Sequence, residues 1–170
     1  MTGVDVEGVE VVDERGQVLD VVSRAEMRRR RLRHRTVFVA VVDPGGANLL
    51  VHRRADWKDV WPSRWDIAFG GVVGVGESSE DAARRELAEE AGITEPVTWL
   101  GAGRYDDAEV AEVADVYVAR TGGPFTFADG EVVATAWVAV GEAPRWSDDH
   151  DVCPDSVALV LPLLPAPPGR

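Results

Sequence analysis

The sequence predicts an α+β fold built around one core. Two observations carry that expectation: short alternating apolar segments recur along the chain, separated by turn residues, and only a few stretches have helical spacing. With 170 residues, 45% of them hydrophobic, the chain has enough apolar material for a single domain spanning 1–170.

Val9 to Val12 and Val18 to Val22 alternate around Glu14-Arg15-Gly16, which predicts a hairpin. Ser23 to Met27 then opens a short basic helix. Strands are expected at Thr36 to Val42 and Asn48 to Arg53, parted by the turn signal Asp43-Pro44-Gly45-Gly46, and near Ile67 to Val73. A helix follows over about 79–91. Ser78 or Ser79 can cap its start, Glu80 and Asp81 suit its first turn, and Gly92 can supply a left-handed stop. Further strands are expected at Val97 to Ala102, Val110 to Arg120 and Val132 to Val140. A last apolar helix covers Asp155 to Leu164, and a Pro-rich flexible tail covers 165–170.

The formal charge is −12, yet residues 28–35 contribute +6, leaving −18 for the remainder. An acidic body argues against nucleic-acid binding, whose affinity comes largely from phosphate neutralisation. The basic run reads either as a solvated helix face or as a contact for phosphate or an acidic partner. No apolar run is long enough to span a bilayer, and Met1 to Asp20 is acidic and alternating, so a soluble cytoplasmic protein is expected. The sole cysteine, Cys153, excludes an intrachain disulfide or a cysteine-based zinc cluster.

The predicted helix at 79–91 carries the chemistry. At 100° per residue, Glu86, Glu89 and Glu90 share one arc, while Ala83, Leu87 and Ala91 form the adjoining apolar stripe that seats the helix. Like charges at that spacing destabilise a bare helix, so the cluster calls for a cation. Mg²⁺ suits hard oxygen ligands that also meet substrate phosphates, with Mn²⁺ as an alternative. Before the helix, Phe69-Gly70-Gly71-Val72-Val73, then Gly74 and Gly76, reads as a strand entering a loop that allows close backbone approach.

Together these residues fit G-x5-E-x7-R-E-U-x-E-E-x-G-U (U aliphatic) from Gly71 through Glu77, Arg85, Glu86, Leu87, Glu89, Glu90 and Gly92 to Ile93. A chance match is on the order of one in a billion per starting position. The pattern is the Nudix box, and the chain resembles the Nudix hydrolases, metal-dependent enzymes that cleave a diphosphate linked to another group. The resemblance implies an α/β/α sandwich with a mixed central sheet. It also implies a metal site of Glu86, Glu89 and Glu90 with the Gly70 carbonyl, supported by Gly71, Glu77 and Arg85.

A second resemblance covers Arg33-His34-Arg35, Leu49 to Arg54, Lys58, Trp61-Pro62 and Trp65, which are similar to type I isopentenyl-diphosphate isomerase, a non-hydrolytic relative. By that likeness Arg54 and Lys58, the only lysine, would bind a substrate diphosphate. Glu112 and Glu131 match acidic positions of the relatives and are candidates for the general base or for extra metal ligands. The isomerase's catalytic cysteine has no counterpart in Asp66-Ile67-Ala68-Phe69-Gly70-Gly71. Of its several metal-binding histidines only His34 finds a match, and alone it reads as structural. Trp57, Trp61 and Trp65 suit either packing or stacking on a substrate.

The expected function is therefore Mg²⁺-dependent hydrolysis of a phosphoanhydride in a nucleoside-diphosphate-like or other small organic diphosphate. Glu86, Glu89, Glu112 or Glu131 would take the proton. The alternatives are an isoprenoid-diphosphate isomerase and a ligand-sensing module without turnover. The resemblance also admits a homodimer.

Overall fold

Strand β3, His34–Val42, is buried along nearly its whole length, and the rest of the architecture is arranged about it. In the computed structural model, which describes residues 7–169, it belongs to a nine-stranded sheet. The other strands are β1 (Gly8–Val12), β2 (Val18–Ser23), β4 (Asn48–Arg54), β5 (Trp65–Asp66), β6 (Phe69–Val72), β7 (Val97–Asp106), β8 (Ala111–Arg120) and β9 (Val132–Ala139). The helices are α1 (Arg24–Arg30), α2 (Ser79–Ala91), α3 (Ala143–Asp149) and α4 (Pro154–Val160).

Along one edge β3 pairs in parallel with β8, from His34 opposite Glu112 to Val42 opposite Arg120. A strand has only two edges, so β1, β6 and β4 share the other, each antiparallel and each over a different part of β3. β7 extends the sheet beyond β8 and β9 extends it beyond β4, while β5 pairs with His52 and Arg53 on the edge of β4 that meets β3 at Leu49. The parallel β3–β8 pairing makes the sheet mixed, as the family resemblance implies.

Alternation along β3 and β8 divides the core into two layers. Val37, Val39, Val41, Tyr117 and Ala119 pack against Ala82, Ala83, Leu87 and Ala91 of α2. Phe38, Ala40, Val42, Ala114, Val116 and Val118 face Leu159 and Val160 of α4. A helix thus covers each face, giving the α/β/α arrangement.

Helix α2 begins and ends where its caps dictate. The Ser78 hydroxyl accepts from the Asp81 N–H at 3.1 Å, and Gly92 closes the helix at φ 68°. β7 runs longer than expected, and the final apolar stretch is a short helix continued by a 3₁₀ turn over Leu161–Leu163. α3 is an addition to the expected elements; Pro144 at its start is the available signal. The proline-rich tail lies past these helices, and its last residue, Arg170, is outside the described residues.

The basic run over 28–35 is not one solvated helix face. Helix α1 stops at Arg30, with Arg31 in the left-handed region at φ 51°. The arginines then disperse: Arg28 donates to Asp59, Arg30 to Glu26, Arg33 to Asp106 and Arg35 to Ser79. Acidic side chains of the chain itself take up much of that charge.

Two stability predictions follow from these contacts. A Cβ on Gly92 would adopt an unfavourable φ and come within 2.9 Å of Thr126 Cβ, so Gly92→Ala should cost about 1–2 kcal/mol in urea denaturation. His52 is buried and stacked on Phe69 at 4.2 Å, and burial, against the pull of Asp66, lowers its pKa to about 4. The unfolded chain takes up that proton near pH 6.5, so this contribution is intact above pH 6.5 and lost as pH falls towards 4. The loss is on the order of 3 kcal/mol. Denaturation at several pH values should show His52→Phe gaining on the wild type through that window; parallel curves would contradict the assignment.

Candidate active site

β6 and α2 bring the site together because backbone replaces side chain at Gly70 and Gly71. A Cβ on Gly70 would run into the Val37 carbonyl, and one on Gly71 would lie 2.5 Å from Glu86 Oε1. The Gly70 N–H donates to Glu90 Oε2 at 3.1 Å. Bare backbone therefore meets the acidic edge of α2.

Glu86, Glu89, Glu90 and Glu131 line one basin with Gly70, Gly71, Lys58 and Arg85. Burial, then the charge of Glu86, holds Glu90 well above the usual carboxylate range. Burial also raises Glu86, although Arg85 opposes it. Glu131 is pushed up by burial, but Lys58 at 2.6 Å outweighs that and keeps it low. Glu89 is different: its side chain is 59% exposed and reaches Arg85 at 3.4 Å. Among the described residues no three acidic, histidine or cysteine side chains converge into a ready ligand cage.

Arg85 is the brace of the basin. Its Nε and Nη2 donate to the two oxygens of Glu77 at 2.8 and 3.0 Å, Nη1 donates to Glu86 at 2.8 Å, and Nη2 also reaches the Val72 carbonyl. Glu77 in turn accepts from the Gly74 N–H at 2.8 Å, which fixes the loop between strand and helix. Glu10, unremarked in the sequence, accepts from the Gly76 N–H at 2.9 Å and secures the same loop from β1.

A deeper pocket adjoins the basin through Gly70, Gly71, Arg24 and Lys58, which line both. Arg28 and Arg54 add positive charge to it, while His34, Thr36, Glu112 and Asp155 line it from β3, β8 and α4. Arg54 sits 3.6 Å from Asp66 and donates to the Val60 carbonyl at 2.9 Å. Lys58 therefore stands at the boundary, bound to a carboxylate, and Arg54 stands further in.

Glu112 is not part of the box cluster. It has the parity of Ala114 and Val116 on β8, so it points to the α4 face, whereas α2 packs on the other. Its carboxyl is pushed up to about 8, by burial first and by the charge of Asp155 second. The sequence placed Glu112 at a strand start but could not reveal which helix covers its face. Arg24, Asp66 and Asp155 were likewise not singled out, since they meet only through long-range packing, and Arg28 figured only as part of the basic run 28–35. Trp61 Nε1 donates to Asp155 at 3.0 Å and Trp65 packs edge-on against Trp146, while Trp57 remains exposed. Cys153 is fully buried and lines neither pocket.

Residues 32–155 match the NUDIX domain. The chain belongs to the Nudix family. It is 34% identical over 157 residues to the Nudix hydrolase YfcD of Escherichia coli K12, covering 91% of this chain and 86% of that one. A Nudix hydrolase of Pseudomonas aeruginosa is 33% identical over 163 residues, covering 95% and 96% of the two chains. The fold is similar to that of DR0079 from Deinococcus radiodurans, with a TM-score of 0.76 and 23% identity over 89% of this chain and 96% of that one. It also resembles the Nudix domain of Shewanella oneidensis NrtR solved with ADP ribose, with a TM-score of 0.62 and 17% identity over 84% and 96%. Its relatives over most of the chain are Nudix hydrolases, and they support hydrolase activity on phosphorus-containing anhydrides, in a family that generally depends on divalent metal. Among the described residues no helix is long and apolar enough to cross a membrane.

The bracing role of Arg85 is open to a direct check. In Arg85→Ala, Glu77 loses two hydrogen bonds, and the Gly74 amide it holds should exchange hydrogen at least about tenfold faster while overall helicity is kept. Unchanged exchange at Gly74 would remove Arg85 from that role.

Proposed function

We propose that the chain is a Mg²⁺-dependent pyrophosphohydrolase that cleaves a small organic diphosphate by water attack on phosphorus. The observation that carries this reading is one basin lined by Glu86, Glu89, Glu90 and Glu131 together with the bare backbone of Gly70 and Gly71, beside a pocket lined by Arg24, Arg28, Arg54 and Lys58. Carboxylates raised by burial and by one another favour a hard divalent cation, and all the donors are oxygens, so the residues fit Mg²⁺. Glu86, Glu89 and Glu90 would hold it with the Gly70 carbonyl. When bound, the ion supplies charge neutralisation on the phosphates and a more acidic attacking water.

The chain's own residues do the remainder. Lys58 and Arg54 bind and orient the diphosphate from the pocket side. Glu131, kept ionised by Lys58, is positioned to accept a proton once the ammonium turns to phosphate. The ADP ribose bound by NrtR supports an organic diphosphate as ligand. The buried position of Cys153, outside both pockets, weighs against cysteine-based isomerisation.

Glu89→Gln and Glu90→Gln should each lower Mg²⁺-dependent turnover by about 100-fold or more, with the far-ultraviolet spectrum unchanged. A panel of diphosphate metabolites read by mass spectrometry provides the assay. Full activity in both variants would overturn the assignment, and a C5 diphosphate isomerised without phosphate release would favour the isomerase.

A further inference from the structure

The loop that joins β6 to α2 separates the two halves of the acidic basin: the Gly70 backbone lies before it, and Glu86, Glu89 and Glu90 lie after it. Gly74 and Gly76, the latter at φ 70°, give that loop little stiffness of its own. Whatever fixes the loop therefore fixes the spacing between the halves. Within the box, Arg85 does so through Glu77. A second grip comes from outside the box, and it converges on one residue of β3.

Arg35 meets the loop at both ends. Its carbonyl accepts from the Val73 N–H at 3.0 Å, which continues the β3–β6 pairing past Thr36 and Val72. Its side chain has the parity of Val37 and Val39, so it reaches towards α2. There Nη1 donates to the Glu77 carbonyl at 3.3 Å, and Nη2 donates to the Ser79 hydroxyl at 2.9 Å. That hydroxyl donates in turn to Asp115 at 2.6 Å, and Trp99 Nε1 holds the other oxygen of Asp115. Glu10, 3.5 Å from the guanidinium, accepts from the Gly76 N–H. Val73, Gly76, Glu77 and Ser79 are thus all tied to Arg35, directly or through one carboxylate.

Helix stability does not account for a guanidinium at this place. The start of a helix is its positive end, where a cation is unfavourable and an acid is preferred. Glu10 and Asp115 offset that charge. What the planar fork supplies is a fixed separation between two acceptors, a loop carbonyl and the hydroxyl of the first helical residue.

We propose that Arg35 is a positioning residue of the metal site: by clamping the loop between β6 and α2, it sets the distance from the Gly70 carbonyl to the carboxylates of Glu86, Glu89 and Glu90. The inference rests on the metal-dependent hydrolase reading and deepens it. Groups that orient metal ligands from behind typically change metal affinity by about 10–100-fold when removed. The sign of the change separates positioning from charge. Removing a cation near an acidic basin would, through its field alone, tighten the binding of a dication, whereas removing a clamp weakens it.

Calorimetric titration of the full chain with Mg²⁺, without substrate, reads this directly. Arg35→Ala should bind Mg²⁺ at least about tenfold more weakly, and its Gly76 amide should exchange hydrogen at least about tenfold faster. Arg33→Ala is the control, because Arg33 is a nearby arginine paired with Asp106 away from the loop, and it should leave both readings at wild-type values. In turnover, Arg35→Ala should need about tenfold more Mg²⁺ for half-maximal rate, with kcat at saturating Mg²⁺ within about threefold of the wild type. Ser79→Ala removes one acceptor of the fork from a helix that keeps its Ser78 cap, and should weaken Mg²⁺ binding by about threefold. Unchanged or tighter Mg²⁺ binding in Arg35→Ala would overturn the proposal, as would an equal loss in Arg33→Ala. Should Arg35→Ala not fold, unchanged Mg²⁺ binding in Ser79→Ala would overturn it instead. Phosphate release from diphosphates is measured in parallel. No release by the wild type, with the Mg²⁺ and exchange differences intact, would sink the hydrolase reading and leave the clamp standing; release with no difference in Mg²⁺ binding would do the reverse. A wild type that binds no Mg²⁺ would sink both.

Discussion

Helix α2 has to satisfy two demands on adjoining strips of its surface. Ala82, Ala83, Leu87 and Ala91 must lie under the sheet, and the helical repeat then forces Glu86 and Glu90 onto the rim of that contact. Burial of the apolar strip is what keeps the carboxylates close together despite their repulsion. Nothing larger than glycine fits beneath Glu86 at Gly71, and a Cβ on Gly70 would meet the Val37 carbonyl of β3, so the strands and the helix are matched at the level of single atoms. Arg85 ties the arrangement off by reaching Glu77 and Glu86 at once.

The buried strand β3 gives the site its second dimension. Its odd residues from Val37 pack towards α2 and its even ones towards α4, so chemistry on the two faces can evolve separately while sharing one backbone. At the open end of β3 apolar residues give way to His34 and Thr36, and β8 contributes Glu112 there. Acidic residues crowd the α2 side, while His34, Thr36, Glu112 and Asp155 line the pocket on the α4 side. Arg54 and Lys58 lie between them.

Much of this was legible in the sequence for a local reason. Helix α2, its caps and its acidic arc depend on spacing within 79–92, and the β1–β2 hairpin depends on neighbouring alternation. The destination of Glu112 depended on which helix covers the far side of β8, which local spacing does not encode. Asp155 was readable as part of a helix start but not as the partner of Trp61, 94 residues earlier. The arginine run misled for a similar reason, since its partners Asp59 and Asp106 lie far along the chain. α3 was missed because only Pro144 announces it.

Lys58 is the only lysine in a chain with 18 basic residues, and it stands where the two cavities meet. Every other permanent side-chain cation is a guanidinium, inert to acylating reagents. A label directed at the ε-amine consequently has one side-chain address, and its reactivity follows the grip of Glu131 on the ammonium. Composition has thus left a built-in reporter: whatever loosens that ion pair changes the chemistry of a single nitrogen at the threshold of the site.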